Sequence, residues 1–117
     1  MPSPVEKLTV WQLAHKLAHR IYEITAKFPA SEMYGLTSQL RRAALSVPTN
    51  IVEGNARATT REYARFCQVA KASGDEVKYL LRFSLELKLL SSTEYAPIYN
   101  DYDHLGALLF RMIRRLR

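Results

Sequence analysis

Apolar residues recur at alternating spacings of three and four in four segments of this sequence, and this periodicity restricts its fold more than any other feature. Such spacing places each set on one face of an α-helix. The four stripes are Val10, Leu13, Leu17, Ile21, Ile24 and Phe28; Leu36, Leu40, Ala44, Val47 and Ile51; Phe66, Ala70, Ser73, Val77, Leu80, Ser84 and Leu87; and Ile98, Tyr102, Leu105, Leu109, Met112 and Leu116. No segment alternates with a period of two, so the predicted fold class is all-α.

Local sequence marks where these helices begin and end. Pro29 stops the first helix. Thr59 with Glu62, and Ser91 with Glu94, have the capping-box spacing that begins a helix. The predicted helices cover residues 7–28, 35–54, 60–90 and 92–116. Short links between them favour antiparallel neighbours, so we expect one domain over residues 1–117, an antiparallel up-down-up-down four-helix bundle.

Pro48 lies inside the second predicted helix, where a proline costs about 3 kcal/mol or more. The proline frees the carbonyl of Ala44, and nearby polar side chains are able to bond to exposed backbone groups. We therefore predict a bent helix with a polar groove. Its candidate residues are Gln39, Arg42, Ser46, Pro48, Thr49, Asn50 and Glu53. This face is either solvated or a buried or intersubunit polar seam, and Gly54 is interpreted as the helix stop.

Charge is distributed unevenly along the predicted bundle. The chain carries a net charge of +6. Alternating helix directions bring the N-terminus, the link between the second and third helices, and the C-terminus to one pole, and Lys7 lies there. The candidate nucleic-acid-binding residues at this pole are Arg57, Arg61, Arg65, Arg111, Arg114, Arg115 and Arg117. They indicate a phosphate-binding surface, although cations at a helix C-terminus also stabilise the helix dipole.

The residues give no support for catalysis, so we predict that the protein is not an enzyme. His15, His19 and Glu23 have a spacing that could ligate a metal, but two helical turns supply no fourth ligand and we favour a surface or interface stripe. Cys67, the one cysteine, is predicted to be a small core residue. No phosphate-binding glycine loop or nucleophile elbow occurs. We predict no metal site and no cofactor.

Composition and the terminal sequence bear on location. The first residues, MPSPVEKL, show no secretory signal, and no apolar run is long enough to cross a bilayer. A lone thiol agrees with a reducing compartment. We therefore expect a cytoplasmic protein that does not engage a membrane.

Three sequence motifs occur in an order that resembles a known protein family. The run YGLTSQLRRAALSVPTNIVEG follows WQLAHKLAHRIYEITAKFP and precedes a helix that opens TTREYARF. This pattern resembles the small bacterial four-helix-bundle proteins encoded in intervening sequences of 23S ribosomal RNA genes. The resemblance implies a homopentameric ring. It also implies kinship with the accessory variability protein of diversity-generating retroelements, which is basic and associates with nucleic acid and a reverse transcriptase.

Two functions follow as hypotheses. The first is a non-enzymatic accessory protein that binds structured RNA or RNA–DNA hybrids through its basic pole. The second is a structural or protein-interaction scaffold without a direct role on nucleic acid, in which the arginines cap helices and the polar groove receives a protein partner. Both accommodate self-association, because the first helix has a second apolar stripe, Trp11, Ala14, Ala18 and Tyr22, that widens its apolar surface beyond what one core requires. The alternative is a monomer in which this wide surface faces three neighbours.

Overall fold

The computed structural model describes residues 4–117, and within that range it contains four α-helices and no strand. The helices are α1 (Thr9–Thr25), α2 (Leu36–Asn55), α3 (Thr60–Glu86) and α4 (Ser92–Leu116). Short 3-10 turns at Pro4–Lys7 and Ala30–Glu32 precede α1 and α2. The predicted all-α four-helix bundle is confirmed.

Each helix packs against its neighbours in the chain, and α1 closes the bundle by packing against α4. The links are too short for crossovers, so successive helices run in opposite directions. The N-terminal turn, the link between α2 and α3, and the end of α4 consequently lie at one end of the bundle, called the basic pole below. The other end carries the α1–α2 and α3–α4 links.

The core is built mainly from the predicted stripes. Every stripe residue of α2 is buried, as are those of α4 except the half-buried Leu116. In α3 the buried face lies further round the helix than predicted, because Ala64, Cys67 and Leu81 are buried while Leu87 is 49% exposed. Cys67 is thus the small core residue expected from the sequence.

Two helices end earlier than the sequence predicts. The α-helical part of α1 stops at Thr25 rather than 28, because the amide of Phe28 bonds to the carbonyl of Thr25 in a tighter turn before Pro29. Helix α3 stops at Glu86 rather than 90. There Lys88 has a φ of 62°, and the amide of Leu89 reaches back to the Ser84 carbonyl at 2.9 Å, which closes the helix as a Schellman motif.

Pro48 does not divide α2, which runs unbroken to Asn55 with the proline ring buried. The Asn50 amide donates to the carbonyl of Ser46 at 2.8 Å and to its hydroxyl at 2.9 Å, so it does not serve the Ala44 carbonyl that the proline frees. The interpretation of Gly54 as the helix stop is wrong. The helix continues through Gly54, and in residues 4–117 no glycine has a positive φ.

Pro97 is likewise accommodated within α4. The helix starts at Ser92 under a complete capping box, in which Ser91 accepts from the Glu94 amide and the Glu94 carboxylate accepts from the Ser91 amide. The cap for α3 is Thr59, whose hydroxyl accepts from the Glu62 amide at 3.1 Å. Both predicted helix starts are therefore confirmed.

Candidate nucleic-acid interface

The seven arginines singled out in the sequence all have exposed side chains at or near the basic pole. Arg57 lies in the link between α2 and α3, Arg61 and Arg65 lie in the first turns of α3, and the others occupy the end of α4. The remaining members of the set are Arg111, Arg114, Arg115 and Arg117. The side chain of Lys7 lies outside the part of the chain that the structure describes.

A groove of about 510 Å³ separates the start of α3 from the end of α4 and brings three of these arginines together. Its lining residues are Thr60, Arg61, Ala64, Arg65, Gln68, Leu116 and Arg117. The small side chain of Ala64 forms part of its apolar lining, and Arg61, Arg65 and Arg117 supply its charge. We call it the arginine groove. Arg111 lines a separate groove further along α3 and α4, with Lys71, Lys78 and Asp103.

Phenylalanine rings contact several of the same arginines. These contacts were not predicted from the sequence. The guanidinium carbon of Arg57 lies 4.7 Å from the centre of the Phe66 ring, and that of Arg65 lies 5.8 Å from it. On α4, Arg114 lies over the Phe110 ring at 5.8 Å. The sequence does indicate the contact between Phe110 and Arg114, because phenylalanine and arginine four residues apart share one helix face.

The arginines of the basic pole differ from other cations of the protein in their charge partners. Considering residues 4–117, none of the seven has a carboxylate oxygen within 4.0 Å of a guanidinium nitrogen. Elsewhere, Arg20 pairs with Asp101 at 2.6 Å, and Lys78 pairs with Asp103 at 2.8 Å. Further pairs hold Lys27, Lys71 and Arg82.

These ion pairs also lower the pKa values of two carboxylates. The pKa of Asp103 lies below its ordinary value because Lys78 donates a hydrogen bond to it, and the same contact raises the pKa of Lys78. The cap and Lys27 together lower the pKa of Glu94. The five cations in these ion pairs are thus partly neutralised, whereas none of the seven arginines has a carboxylate partner among the described residues.

The polar groove residues of α2 are dispersed in the structure. Gln39, Arg42 and Ser46 line a shallow groove of about 350 Å³ against Ser73 and Glu76 of α3. At its floor the Ser46 and Ser73 hydroxyls are 2.8 Å apart. The other candidates lie outside this lining: Thr49 and Glu53 are exposed, Asn50 is half-buried and Pro48 is buried.

The histidine stripe of α1 forms a ring stack. The His15 ring stacks on Trp11 at 4.7 Å and meets the His19 ring edge-on at 4.8 Å. No group of three or more His, Cys, Asp or Glu side chains able to hold a metal ion occurs among the described residues. Burial raises the pKa of the Cys67 thiol to about 11, so this thiol stays protonated at neutral pH.

The structure therefore defines a small four-helix bundle with one pole lined by arginines that have no carboxylate partner in the part of the chain that the structure describes. A family model described as 23S rRNA-intervening sequence protein matches residues 6–111, and the chain belongs to that family. The chain is also similar to the 1.70 Å crystal structure of a protein of unknown function from the S23 ribosomal protein family of Bacteroides thetaiotaomicron VPI-5482. The TM-score is 0.81 and the identity 20%, over 90% of this chain and 98% of that chain, which shows a shared fold.

No match was found among curated proteins. Within the described part of the chain, no helix combines the length and apolar character needed to cross a membrane.

Proposed function

We propose that this protein is a non-enzymatic accessory protein that binds structured RNA or RNA–DNA hybrids through the phosphates of the nucleic acid. The binding surface is the basic pole, centred on the arginine groove. Arg61, Arg65 and Arg117 surround the groove, and the other four arginines extend the surface across the end of the bundle. Guanidinium groups bind phosphate oxygens through paired N–H donors, which suits recognition of the backbone rather than of base sequence.

The observation that carries this proposal is the absence of carboxylate partners for the seven arginines in the part of the chain that the structure describes. Of the other cations whose side chains are described, Arg20, Lys27, Lys71, Lys78 and Arg82 have a carboxylate partner and Lys16, Arg41, Arg42 and Lys88 do not. Unpaired cations are therefore concentrated at the basic pole. Stabilisation of the α4 dipole explains Arg114 and Arg115, which lie in its last turn. It does not explain Arg57, Arg61 or Arg65, which lie before or within the first turns of α3.

The test is fluorescence anisotropy of a labelled structured RNA titrated with the protein at about 50 and 200 mM salt. We expect tight binding at low salt that weakens roughly a hundredfold over this range if about four phosphates are neutralised. A variant with Arg57, Arg61, Arg114 and Arg115 changed to Gln should lose most of the affinity.

A matched control separates local charge from net charge. Changing Lys16, Lys27, Arg82 and Lys88 to Gln removes the same charge from exposed positions away from the basic pole. This control should retain at least most of the affinity. Equal losses in both variants would refute a localised site, and no RNA binding at low salt would refute the proposal as a whole.

The alternative is a scaffold that receives a protein partner, and the groove lined by Gln39, Arg42 and Ser46 is the surface that favours it. In that case the arginine variant would behave like the natural chain. Substitutions in the polar groove would instead weaken partner association.

Self-association belongs to the same proposal, with a homopentameric ring as the expected assembly. Exposed apolar side chains on α3 and at its C-terminal cap, above all Tyr79 (62% exposed), Phe83 and Leu87, support an interface between copies. A ring would repeat the basic pole around its axis and multiply the phosphate contacts. We expect the protein to act in the cytoplasm, in keeping with its single reduced cysteine.

A further inference from the structure

We infer that the basic pole selects nucleic-acid segments with unpaired bases, which stack on the Arg57 guanidinium and on the exposed ring of Phe110. This inference rests on the proposed function and goes beyond it, because phosphate contacts alone do not distinguish paired from unpaired strands. It assigns a binding role to two phenylalanine and arginine pairs.

The first pair is a layered platform at the junction of α2 and α3. Phe66 is half-buried and its Cβ packs closely against Gly54, where an added Cβ would lie 2.8 Å from the Phe66 Cβ. Arg57 covers the ring at 4.7 Å, and its own side chain is exposed. The ring thus packs against the guanidinium of an exposed side chain, and the face of the guanidinium turned away from the ring is the one that a base would contact. A planar, delocalised cation in this position is a stacking surface for a base.

The second pair lies on α4. Phe110 is 52% exposed, and Arg114 lies one turn later over its ring. The ring also lines the groove of about 490 Å³ in which Lys71 and Lys78 are paired with Asp75 and Asp103, and Arg111 is the cation without a carboxylate partner among the described residues. A large exposed aromatic ring beside open space and the cations Arg111 and Arg114 is the combination that binds single strands, in which cations follow the backbone and the ring receives a base.

Neither platform would be useful for a continuous duplex. Paired bases are stacked on one another, and their faces are inaccessible unless the strand is opened. Phenylalanine also has no hydrogen-bonding group with which to read the base edges of a duplex. The ligand that satisfies both the arginines and the rings is a loop, bulge or single-stranded end of a structured nucleic acid.

The experiment compares three labelled probes of equal phosphate count by anisotropy: a single-stranded oligouridylate, an abasic ribose-phosphate chain, and an RNA duplex. Stacking contributes about 1–3 kcal/mol per base. We therefore expect the oligouridylate to bind at least roughly fivefold more tightly than the abasic chain. The duplex should bind no more tightly than the abasic chain.

Two conservative variants test the platforms without removing charge. The double variant Arg57→Lys and Arg114→Lys keeps both cations but loses the planar groups, and Phe110→Leu removes the exposed ring. Phe110→Leu should weaken oligouridylate binding roughly fivefold and leave abasic binding unchanged. The double variant should weaken oligouridylate binding by a larger factor than abasic binding, because the lysines keep the charge but lose the planar stacking surface. Matched controls are Arg42→Lys and Phe83→Leu, at exposed positions away from the basic pole. Circular dichroism confirms that each variant is folded.

The outcomes distinguish base stacking from phosphate binding. Equal binding of oligouridylate and abasic chain, with no effect of the platform variants, overturns the inference and leaves the phosphate-binding function intact. Failure of all three probes to bind at low salt overturns both. Tighter binding of the duplex than of the other two probes overturns the inference and indicates that the basic pole recognises the shape of the nucleic-acid backbone.

Discussion

At the residue scale, Tyr102 is a core residue whose polar group is not satisfied by the described part of the chain. The side chain is 1% exposed, and its hydroxyl has no hydrogen-bond partner among the described residues. Burial raises the pKa of this phenol well above its ordinary range, while Arg20 opposes the shift. A buried hydroxyl without a partner costs about 1–3 kcal/mol. The Tyr102 ring therefore stabilises the fold by packing, while its hydroxyl group lowers the stability.

We expect Tyr102→Phe to raise the free energy of unfolding by about 1 kcal/mol, because it removes the unpaired hydroxyl and keeps the ring. Urea denaturation followed by circular dichroism measures the change. Tyr63→Phe is the control, since the Tyr63 hydroxyl accepts from Asn55 at 3.3 Å and its removal should give no gain. A loss of stability in Tyr102→Phe would mean that the hydroxyl has a partner in solution.

At the scale of helices, the contact between α2 and α3 depends on Gly54. A Cβ there would lie 2.8 Å from the Phe66 Cβ and 2.9 Å from Cδ1 of Tyr63. The glycine therefore permits close approach of two helices rather than a turn. This contact also fixes the ring on which Arg57 lies, so helix packing and the proposed stacking platform share one residue.

Gly54→Ala should lower the free energy of unfolding by about 1–3 kcal/mol, because the new methyl group forces the helices apart. This loss exceeds the gain of roughly 0.5–1 kcal/mol that alanine normally brings to a helix interior. Gly106→Ala on α4 isolates that gain, since nothing lies within 4 Å of its added Cβ. Thermal unfolding of both variants should therefore shift in opposite directions. A stabilised Gly54→Ala would contradict the close-packing role.

Helix positions and starts could be predicted from the sequence because apolar spacing and capping residues are local properties. The end of α3 could not, since Lys88 occupies a left-handed conformation in which glycine is the expected residue. The arginine cluster could be predicted because helix direction alone brings the links and termini together. The contact of Arg57 with Phe66 could not, because it depends on how the link folds over α3.

At the scale of the whole molecule, the exposed arginines of the basic pole and the exposed apolar side chains lie on different parts of the surface. The unpaired arginines occupy one end of a bundle about 43 Å long, whereas the exposed apolar residues of α3 follow its side. A second exposed patch joins α1 and α2, where His15, His19, Tyr22 and Leu45 line a cleft of about 320 Å³. Copies that associate through their sides would leave the poles free, which is the arrangement that binding at a pole requires.

Sedimentation equilibrium tests this arrangement directly. We expect a mass of five times the 13.4 kDa chain. Tyr79→Arg combined with Phe83→Arg should shift the protein toward the single-chain mass, because each change buries a charge in the proposed apolar interface. The control carries Thr93→Arg and Asn100→Arg, which add the same charge at exposed polar positions of α4 and should leave the mass unchanged.

The same variants connect assembly to binding. Because the α3 side chains lie away from the arginine groove, a monomeric Tyr79→Arg and Phe83→Arg variant should still bind RNA, but more weakly, since a ring presents several basic poles to one strand. Anisotropy with the labelled structured RNA measures this loss. A natural chain that sediments at 13.4 kDa at all concentrations would contradict the ring, and each bundle would then have to bind through its own basic pole.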